Sequence, residues 1–288
     1  MASYNIAWGS HRLTLGNTTR IMGIVNITPD SFSDGGLFFN PDSAIAHGEK
    51  LAQQGADILD IGGESSRPFS EPVLEKEEIR RVIPVIEKLA KRILIPISID
   101  TTKAIVAKHA IDAGASIIND ISALHSDEKL AEVAAKHGVP LILMHMKGTP
   151  ENMQLSPCYD NLFGEIKNYL KDAAEKAVNY GVDKSKIIID PGIGFGKTIE
   201  HNLLLIKNLS ELTELNFPIL IGVSRKAFIR NILKNKTKNE LKPQDPAVET
   251  GTQAAIAAAV LAGAHIVRVH DVASTVSTVR IIDAIKKD

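Results

Sequence analysis

The sequence predicts an α/β fold, a (β/α)8 TIM barrel with a short N-terminal β-hairpin, on two observations. Short runs rich in Ile and Val alternate with longer segments of helical pattern, and glycines recur directly before several of the runs. Continuous apolar runs are typical of parallel strands buried on both faces, and the segments between them are long enough for crossover helices. The eight runs are IMGIVNI (21–27), DILDIGG (57–63), IPISID (95–100), SIINDI (116–121), VPLILMH (139–145), KIIIDPG (186–192), FPILIGVS (217–224) and HIVRVHD (265–271).

Four glycines, Gly55, Gly114, Gly138 and Gly263, stand just before a run, where the end of a helix favours a positive φ. Three of them open a Gly-Ala-x-Ile pattern, which indicates a repeated junction between a helix and the next strand. Repeated βα units in one chain of this length favour a closed barrel, with an open doubly wound sheet as the alternative. Residues 4–20 predict the hairpin that precedes the barrel.

Composition excludes several classes of protein. The 288 residues are 44% apolar and 23% charged, which is ordinary for a globular protein, and we expect residues 1–288 to form a single domain. The 33 basic residues balance 34 acidic ones, so no basic excess predicts binding to nucleic acid. The single cysteine, Cys158, rules out an internal disulfide and a Cys-rich zinc site.

The chain shows no targeting or membrane signal. The first residues, MASYNIAWGSHRL, lack the apolar core of a signal peptide. No uninterrupted apolar run approaches the roughly 18 residues of a membrane span. We therefore expect the protein in a reducing cytoplasm.

Polar side chains end every one of the eight runs, whereas the opposite ends are not similarly enriched. A single Asp after a strand is more often a helix cap or turn residue, but the carboxyl ends of all barrel strands converge on one mouth, where active sites lie. Together the endings therefore predict a functional site. They are Asn26, Asp60 with Glu64, Asp100, Asn119, His145, Asp190, Ser224–Arg225–Lys226, and Arg268 with His270.

The residue types at these endings indicate two kinds of ligand group. Carboxylates and amides can pair edge-on with a flat heterocycle that carries several N–H groups. Cationic side chains after the last two strands occupy the usual phosphate site of such barrels. The first set is Asp100, Asn119 and Asp190, and the second is Lys226, Arg268 and His270.

Two loops and one glycine-rich turn complete the predicted mouth. The loops at 26–36 and 62–72 are longer than most βα loops, as expected of lids. The segment PGIGFGKT (191–198) nearly matches a P-loop, but Pro191 replaces its first glycine, which disfavours a nucleotide hydrolase. We interpret the segment as a tight turn against a ligand, with Phe195 available to stack.

These residues together resemble the dihydropteroate synthase family of the folate pathway, from about Ile21 to the end of the chain. The resemblance implies a transferase with a pterin-binding TIM barrel, which joins 6-hydroxymethyl-7,8-dihydropterin pyrophosphate to 4-aminobenzoate and releases pyrophosphate. It further implies Mg²⁺ as cofactor, sulfonamide sensitivity and a homodimer. The matching motifs are MGIVNITPDSFSDGG, GGESSRP, ISIDTTKA, ASIINDI, MHMKGTPENMQ, IDPGIGFGK, GVSRKAF and HIVRVHDV.

The resemblance also implies a role for individual residues. The pterin would be held by Asp100, Asn119, Asp190 and Lys226. The diphosphate would be bound by Asn26, Ser66, Arg67, Arg268 and His270, with Asn26 as the magnesium ligand. The aminobenzoate site would include Pro68, Phe195 and Ser224. The catalytic residues would be Asp100, Lys226 and Asp34.

Three positions depart from the usual family pattern. Ser66 stands where Thr is usual and keeps the hydroxyl, whereas Phe69 replaces a Gly and is expected to stiffen the second loop. Ala227 replaces a Ser, which leaves backbone N–H groups at a helix start to meet the aminobenzoate carboxylate. The alternatives are a pterin-binding methyltransferase acting on methyltetrahydrofolate and a pterin-binding protein without catalysis.

Overall fold

The computed structural model describes residues 2–28, 41–65, 70–234 and 241–286. In this part of the chain, eight parallel strands form one sheet, and most of the helices connect successive strands. The strands of this sheet are β3 (Arg20–Asn26), β4 (Ile58–Gly62), β5 (Ile97–Asp100), β6 (Ile117–Asp120), β7 (Leu141–Met144), β8 (Ile187–Asp190), β9 (Leu220–Ile221) and β10 (Ile266–Val269). The α-helices are α1 (Pro41–Gln53), α2 (Glu75–Leu89), α3 (Ala104–Asp112), α4 (Lys129–His137), α5 (Leu162–Asn179), α6 (Ile199–Lys207), α7 (Ala227–Leu233), α8 (Pro246–Leu261) and α9 (Val272–Ile285).

The sheet closes into a barrel. Its strand order is β8-β7-β6-β5-β4-β3-β10-β9, so that β8 and β9 are the two ends. A parallel bridge between Ile189 and Ile219 joins these ends, and the Ile189 N–H donates to the Pro218 carbonyl at 3.0 Å. The predicted (β/α)8 barrel is therefore confirmed, and the open doubly wound sheet is wrong.

Glycines shape the junctions between helices and strands as the sequence predicts. Gly55, Gly114, Gly138 and Gly263 all have positive φ. At Gly114 (φ +116°) a Cβ would also lie 2.6 Å from the Cβ of Ala90, so the α3–β6 junction packs directly against the end of α2. Any side chain there would have to push these two elements apart.

The N-terminal hairpin covers the end of the barrel opposite the polar strand endings. Strands β1 (Tyr4–Trp8) and β2 (His11–Leu15) pair antiparallel. The Tyr4 ring meets the edge of His265, directly before β10, and Arg20 at the start of β3 donates to the Thr14 carbonyl at 3.1 Å. The hairpin thus seals the N-terminal ends of the strands and leaves the other mouth accessible.

Within the described ranges, no helix combines the length and the apolar character needed to cross a lipid bilayer.

Candidate active site

Two glycines open the carboxyl-end mouth of the barrel. A Cβ at Gly62, which ends β4, would lie 3.5 Å from the Cβ of Asp100 and 3.8 Å from Oδ1 of Asn26. A Cβ at Gly222 would lie 3.8 Å from the Cβ of Arg268 and 4.0 Å from Nζ of Lys226. The polar side chains of neighbouring strands therefore approach one another across positions that lack a side chain.

Arg268 joins two carboxylates at this mouth. Its Nε donates to Oδ2 of Asp60 at 2.6 Å, and its Nη2 donates to Oδ2 of Asp100 at 2.7 Å. Asn119 donates its amide Nδ2 to the same Asp60 oxygen at 3.0 Å. Residues from β4, β5, β6 and β10 thus form one hydrogen-bonded network that fixes the planes of the carboxylate, amide and guanidinium groups.

Burial raises the pKa of Asp100, and the Arg268 guanidinium opposes this rise only in part. The Asp60 carboxylate adds to the rise in this pKa, because the shared guanidinium holds the two negative charges close together and they repel each other. A ligand that brings further N–H donors to Asp100 would favour its ionised form. A ring with an amino-imino edge presents such N–H donors, so its binding would lower the pKa of Asp100.

Asp190 and Lys226 form a second charged group on the other side of the mouth. One Asp190 oxygen accepts from the Gly192 N–H at 2.7 Å, and burial raises the pKa of this carboxyl. The Lys226 ammonium lies 4.5 Å from the centroid of the Phe195 ring and donates to the Ile193 carbonyl. Burial lowers the pKa of Lys226 to about 8, with Asp190 partly opposing the effect.

The turn that carries Phe195 depends on its glycines. Gly192 has φ +68°, and a Cβ there would lie 1.9 Å from the His145 carbonyl oxygen. The Gly194 N–H donates to Oδ1 of Asn202 at 2.7 Å, which ties the turn to α6. The segment is the tight turn that the sequence predicts, and it presents Phe195 and the Ile193 carbonyl to Lys226.

Replacing Gly192 by alanine is expected to lower the free energy of unfolding by at least about 3 kcal/mol, since left-handed strain and a backbone clash add together. The matched control is Gly9→Ala, because Gly9 also has positive φ but has nothing within 4 Å of its Cβ position. Urea unfolding of both variants measures the difference. Equal losses of stability would contradict the role of the His145 contact.

His270 and Ser224 form a third polar pair at the mouth. The Ser224 hydroxyl lies 2.9 Å from Nδ1 of His270 and accepts from the His270 backbone N–H at 3.2 Å. This geometry fits a tautomer in which Nδ1 accepts and Nε2 carries the proton. The resemblance implies that Ser224 contacts the aminobenzoate and His270 the diphosphate, and the two side chains lie in direct contact with each other.

The remaining predicted site residues divide into two groups. Asn26 ends β3 at the mouth, and Ala227 is an exposed first residue of α7, as the predicted helix start requires. The other predictions stay untested because their residues lie outside the described ranges. These are Asp34, Ser66, Arg67, Pro68 and Phe69.

The structure also gives a role in the site to two residues for which the sequence predicts no ligand contact. Asp60 is fully buried and central to the Arg268 network. Lys197 is buried, with Nζ 2.9 Å from Nδ1 of His145 and 3.0 Å from the Phe195 carbonyl oxygen. Burial lowers the pKa of Lys197 and of His145, and the Lys197 charge further disfavours a charged imidazole. These contacts hold the turn that carries Phe195 in place.

An apolar wall stands beside the charged groups. Met144, Met153 and Phe195 are buried together, with Ile121 and Met146 packed against them. A cavity of about 860 Å³ extends outward past Asp100, Ile121 and Met146. This volume suits an organic ligand with more than one ring, and the wall supplies the flat apolar contact that a ring face needs.

Comparison with known proteins agrees with this site. The family model described as "Pterin binding enzyme" matches residues 22–270. The dihydropteroate synthase of Synechocystis sp. is 46% identical over 270 residues, covering 94% of this chain and 91% of that protein. The Escherichia coli K12 dihydropteroate synthase is 42% identical over 264 residues, covering 92% of this chain and 90% of that protein.

Solved structures give the same result. Yersinia pestis dihydropteroate synthase in a sulfonamide drug complex superposes with a TM-score of 0.89 at 42% identity, covering 98% of each chain. Xanthomonas albilineans dihydropteroate synthase with 4-aminobenzoic acid also gives a TM-score of 0.89 at 42% identity, covering 100% of each chain. The chain therefore belongs to the pterin-binding enzymes, within the dihydropteroate synthase family.

Proposed function

We infer that this chain is a dihydropteroate synthase, which transfers a dihydropterin-methyl group from pyrophosphate to 4-aminobenzoate. The observation that carries the inference is the Arg268 network, because it places cationic and carboxylate groups together at one mouth. The related Xanthomonas albilineans enzyme has been solved with 4-aminobenzoic acid and with 7,8-dihydropteroate. The methyltransferase alternative is not favoured.

The carboxylates and amides provide the pterin contacts. Asp100, Asn119 and Asp190 offer oxygen acceptors and an amide donor, which match the amino-imino and carbonyl edge of a pterin. Lys226 supplies a further donor beside Phe195. Asn119 and Asp190 are buried, and Asp100 and Lys226 are only partly exposed. Because all four are already hydrogen-bonded, the pterin would meet a site that needs little rearrangement.

Charge separation explains the division of the site. When the bond between the methylene carbon and the diphosphate oxygen breaks, negative charge collects on the diphosphate and positive charge spreads into the pterin. Arg268 and His270 would stabilise the departing anion, whereas Asp100 and Asp190 would stabilise the ring. The lone pair of the aminobenzoate nitrogen then forms the new bond to the methylene carbon, and the nitrogen passes one proton to the released diphosphate or to water. Because the arylamine is itself the nucleophile, no activated Ser or Cys is required.

The donor set fits a magnesium ion that binds together with the diphosphate. Oδ1 of Asn26 faces the same Gly62 gap as Asp100, which places an amide oxygen at the mouth. Within the described residues, no group of three or more His, Cys, Asp and Glu side chains could hold a metal alone. Magnesium would supply charge neutralisation for the diphosphate, with Asn26 as its protein ligand.

Removal of the metal is expected to lower pyrophosphate release by at least about tenfold, because Mg²⁺ would neutralise the leaving group. The measurement compares EDTA-treated protein before and after addition of Mg²⁺. Binding of 6-hydroxymethyl-7,8-dihydropterin, which lacks the diphosphate, should be unchanged and serves as the control. Full turnover in EDTA would contradict both the need for Mg²⁺ and the role of Asn26 as its ligand.

The reaction itself is tested by pyrophosphate release in the presence of both substrates. We expect no release when either substrate is omitted, and we expect a sulfonamide to compete with 4-aminobenzoate. Demethylation of methyltetrahydrofolate in place of this reaction would support the methyltransferase alternative. Pterin binding without any turnover would support a binding protein.

We also propose a cytoplasmic homodimer. Apolar side chains are exposed on α6 (Leu203, Leu204), α7 (Ile232, Leu233) and α8 (Leu261), and α8 contacts both of the other helices. A second copy would cover this apolar face. Sedimentation velocity should give twice the 31.1 kDa mass, and Ile232→Glu should give the single mass. A monomeric wild-type protein would contradict the dimer.

The proposed location in the cytoplasm rests on Cys158, whose exposed free thiol suits a reducing compartment. Fractionation of cells can test this location.

A further inference from the structure

Lys103 lies in a charged cluster next to the candidate site. It follows Asp100 by three positions, between β5 and α3. Its ammonium contacts Oε2 of Glu64 and lies 2.6 Å from Oε2 of Glu78 on α2. One cation thus joins the connection after β4, the connection after β5, and a helix behind both.

Glu78 makes this cluster rigid. Its side chain is fully buried, and its Oε1 has no hydrogen-bond partner among the described residues. Burial raises the pKa of Glu78, and the Lys103 contact opposes that rise. A buried carboxylate needs a fixed counter-charge, so Lys103 is held in place from the helix side.

Glu64 transmits this position to the second loop. Its Oε1 accepts from the Val73 N–H at 3.1 Å, so one carboxylate contacts both Lys103 and the far end of the loop. The Ser70 hydroxyl donates to the Ser65 carbonyl at 2.5 Å, which brings the two ends together a second time. The described ends of this loop are therefore held together by two contacts, one through Glu64 and one between Ser65 and Ser70.

The entrance of this loop is also fixed on α2. Arg81 donates from Nη1 to the Gly63 carbonyl at 2.9 Å and pairs with Glu77. A Cβ at Gly63 would lie 2.7 Å from Val82, so the backbone packs directly on the helix. Lys103 is the link between this anchored base and the connection that begins at Asp100.

We propose that Lys103 is a positioning residue for the reaction: held by Glu78, it fixes Glu64 and thereby the side of the cavity that Glu64, Ser65 and Ser70 line. The proposal rests on the proposed function, in which the substrates meet at this mouth. It assigns Lys103 no contact with substrate. It predicts that the cluster affects the use of the diphosphate substrate and of aminobenzoate, while the pterin contacts stay intact.

The first test replaces Lys103 by methionine. We expect kcat/KM for both substrates to fall about 10–100-fold, because small displacements of positioning loops have effects of this size. The dissociation constant for 6-hydroxymethyl-7,8-dihydropterin, measured by calorimetry, should change by less than about twofold. Lys103→Arg keeps the cation and should recover most of the loss. The control is Lys167→Met, which removes one exposed ion pair with Glu214.

A second variant keeps the proposal testable if Lys103→Met does not fold. Glu64→Gln leaves the Lys103–Glu78 pair intact and keeps an oxygen for the Val73 N–H, but removes the charge that Lys103 holds. We expect the same direction of change in kcat/KM as in Lys103→Met, and the double variant should be no worse than the poorer single variant. Losses that multiply would show that the two residues act independently and would overturn the proposal.

Hydrogen exchange separates this inference from the proposed function. Amide exchange in the peptide that contains Ser70 and Val73 should be faster in Lys103→Met and in Glu64→Gln than in wild type. This readout does not depend on activity. Unchanged exchange, or a lowered Tm with wild-type kcat/KM at 25 °C, would overturn the positioning role. Absence of pyrophosphate release in the wild type would instead overturn the proposed function.

Discussion

Asp100→Asn is expected to lower kcat/KM for pyrophosphate release by about 10²–10³-fold, the usual effect of removing one preorganised polar group from an active site. The substitution keeps the size of the side chain but removes the charge. It also turns an amide toward Nη2 of Arg268, which now lies 2.7 Å from a carboxylate oxygen. The largely buried guanidinium would then keep Asp60 as its one charged hydrogen-bond partner among the described residues, and the pterin would lose one of its two anionic partners.

The measurement is a steady-state assay of pyrophosphate release, with circular dichroism to check the fold. Asp172→Asn, an exposed carboxylate on α5, is the matched control and should leave kcat/KM within about twofold, as for most surface substitutions. Wild-type kcat/KM in Asp100→Asn, with the fold intact, would remove Asp100 from the catalytic site.

Lys226→Met has the second-largest expected effect. Loss of a charged hydrogen bond should weaken pterin binding by about 10–100-fold, as for other buried charged donors. The variant should also change the pH profile, because burial lowers the pKa of Lys226 to about 8. Lysine is charged below its pKa, so wild-type kcat/KM should fall as the pH rises through about 8.

In Lys226→Met this alkaline decrease should be absent, because kcat/KM reports the ionisation of the free enzyme. The control is Lys171→Met, which removes an exposed helix pair with Glu175 and should keep the wild-type profile. An alkaline decrease at the same pH in Lys226→Met would assign the titration to another group. Unchanged calorimetric affinity would contradict the pterin contact itself.

Much of the fold could be predicted from the sequence because burial on both faces leaves a simple signal. The runs of Ile and Val mark the strands, and the glycines before them mark the helix ends. Closure follows from the number of βα units, and the Ile189–Ile219 bridge confirms it. The strand-end rule then brings Asp100, Asn119, Asp190, Lys226 and Arg268 to one mouth without any alignment.

Asp60 shows why the arrangement of the site could not be predicted, although the sequence already places this residue among the polar strand endings. In the sheet register Asp60 pairs with Ser98, and Gly62 pairs with Asp100, so Asp60 lies one layer deeper than Asp100. Strand endings alone do not show depth, and the Arg268 side chain reaches both layers. An acidic residue inside an otherwise apolar run is a signal for a buried site residue, but it does not show the contact with Arg268.

The burial of Lys197 could not be predicted for a different reason. It stands at the lysine position of an imperfect P-loop match, where an exposed phosphate contact would be expected. The structure buries it against His145 instead, since the turn closes over it. Periodicity cannot separate these outcomes, because both place the lysine directly after a glycine-rich turn.

The most direct test of the central claim is a crystal structure with 6-hydroxymethyl-7,8-dihydropterin pyrophosphate bound. We predict that the pterin edge lies within hydrogen-bond distance of Asp100, Asn119 and Asp190, and that Lys226 contacts the same ring. A pterin bound only against the stacked rings of His125 and Tyr169, which also line the cavity, would contradict it.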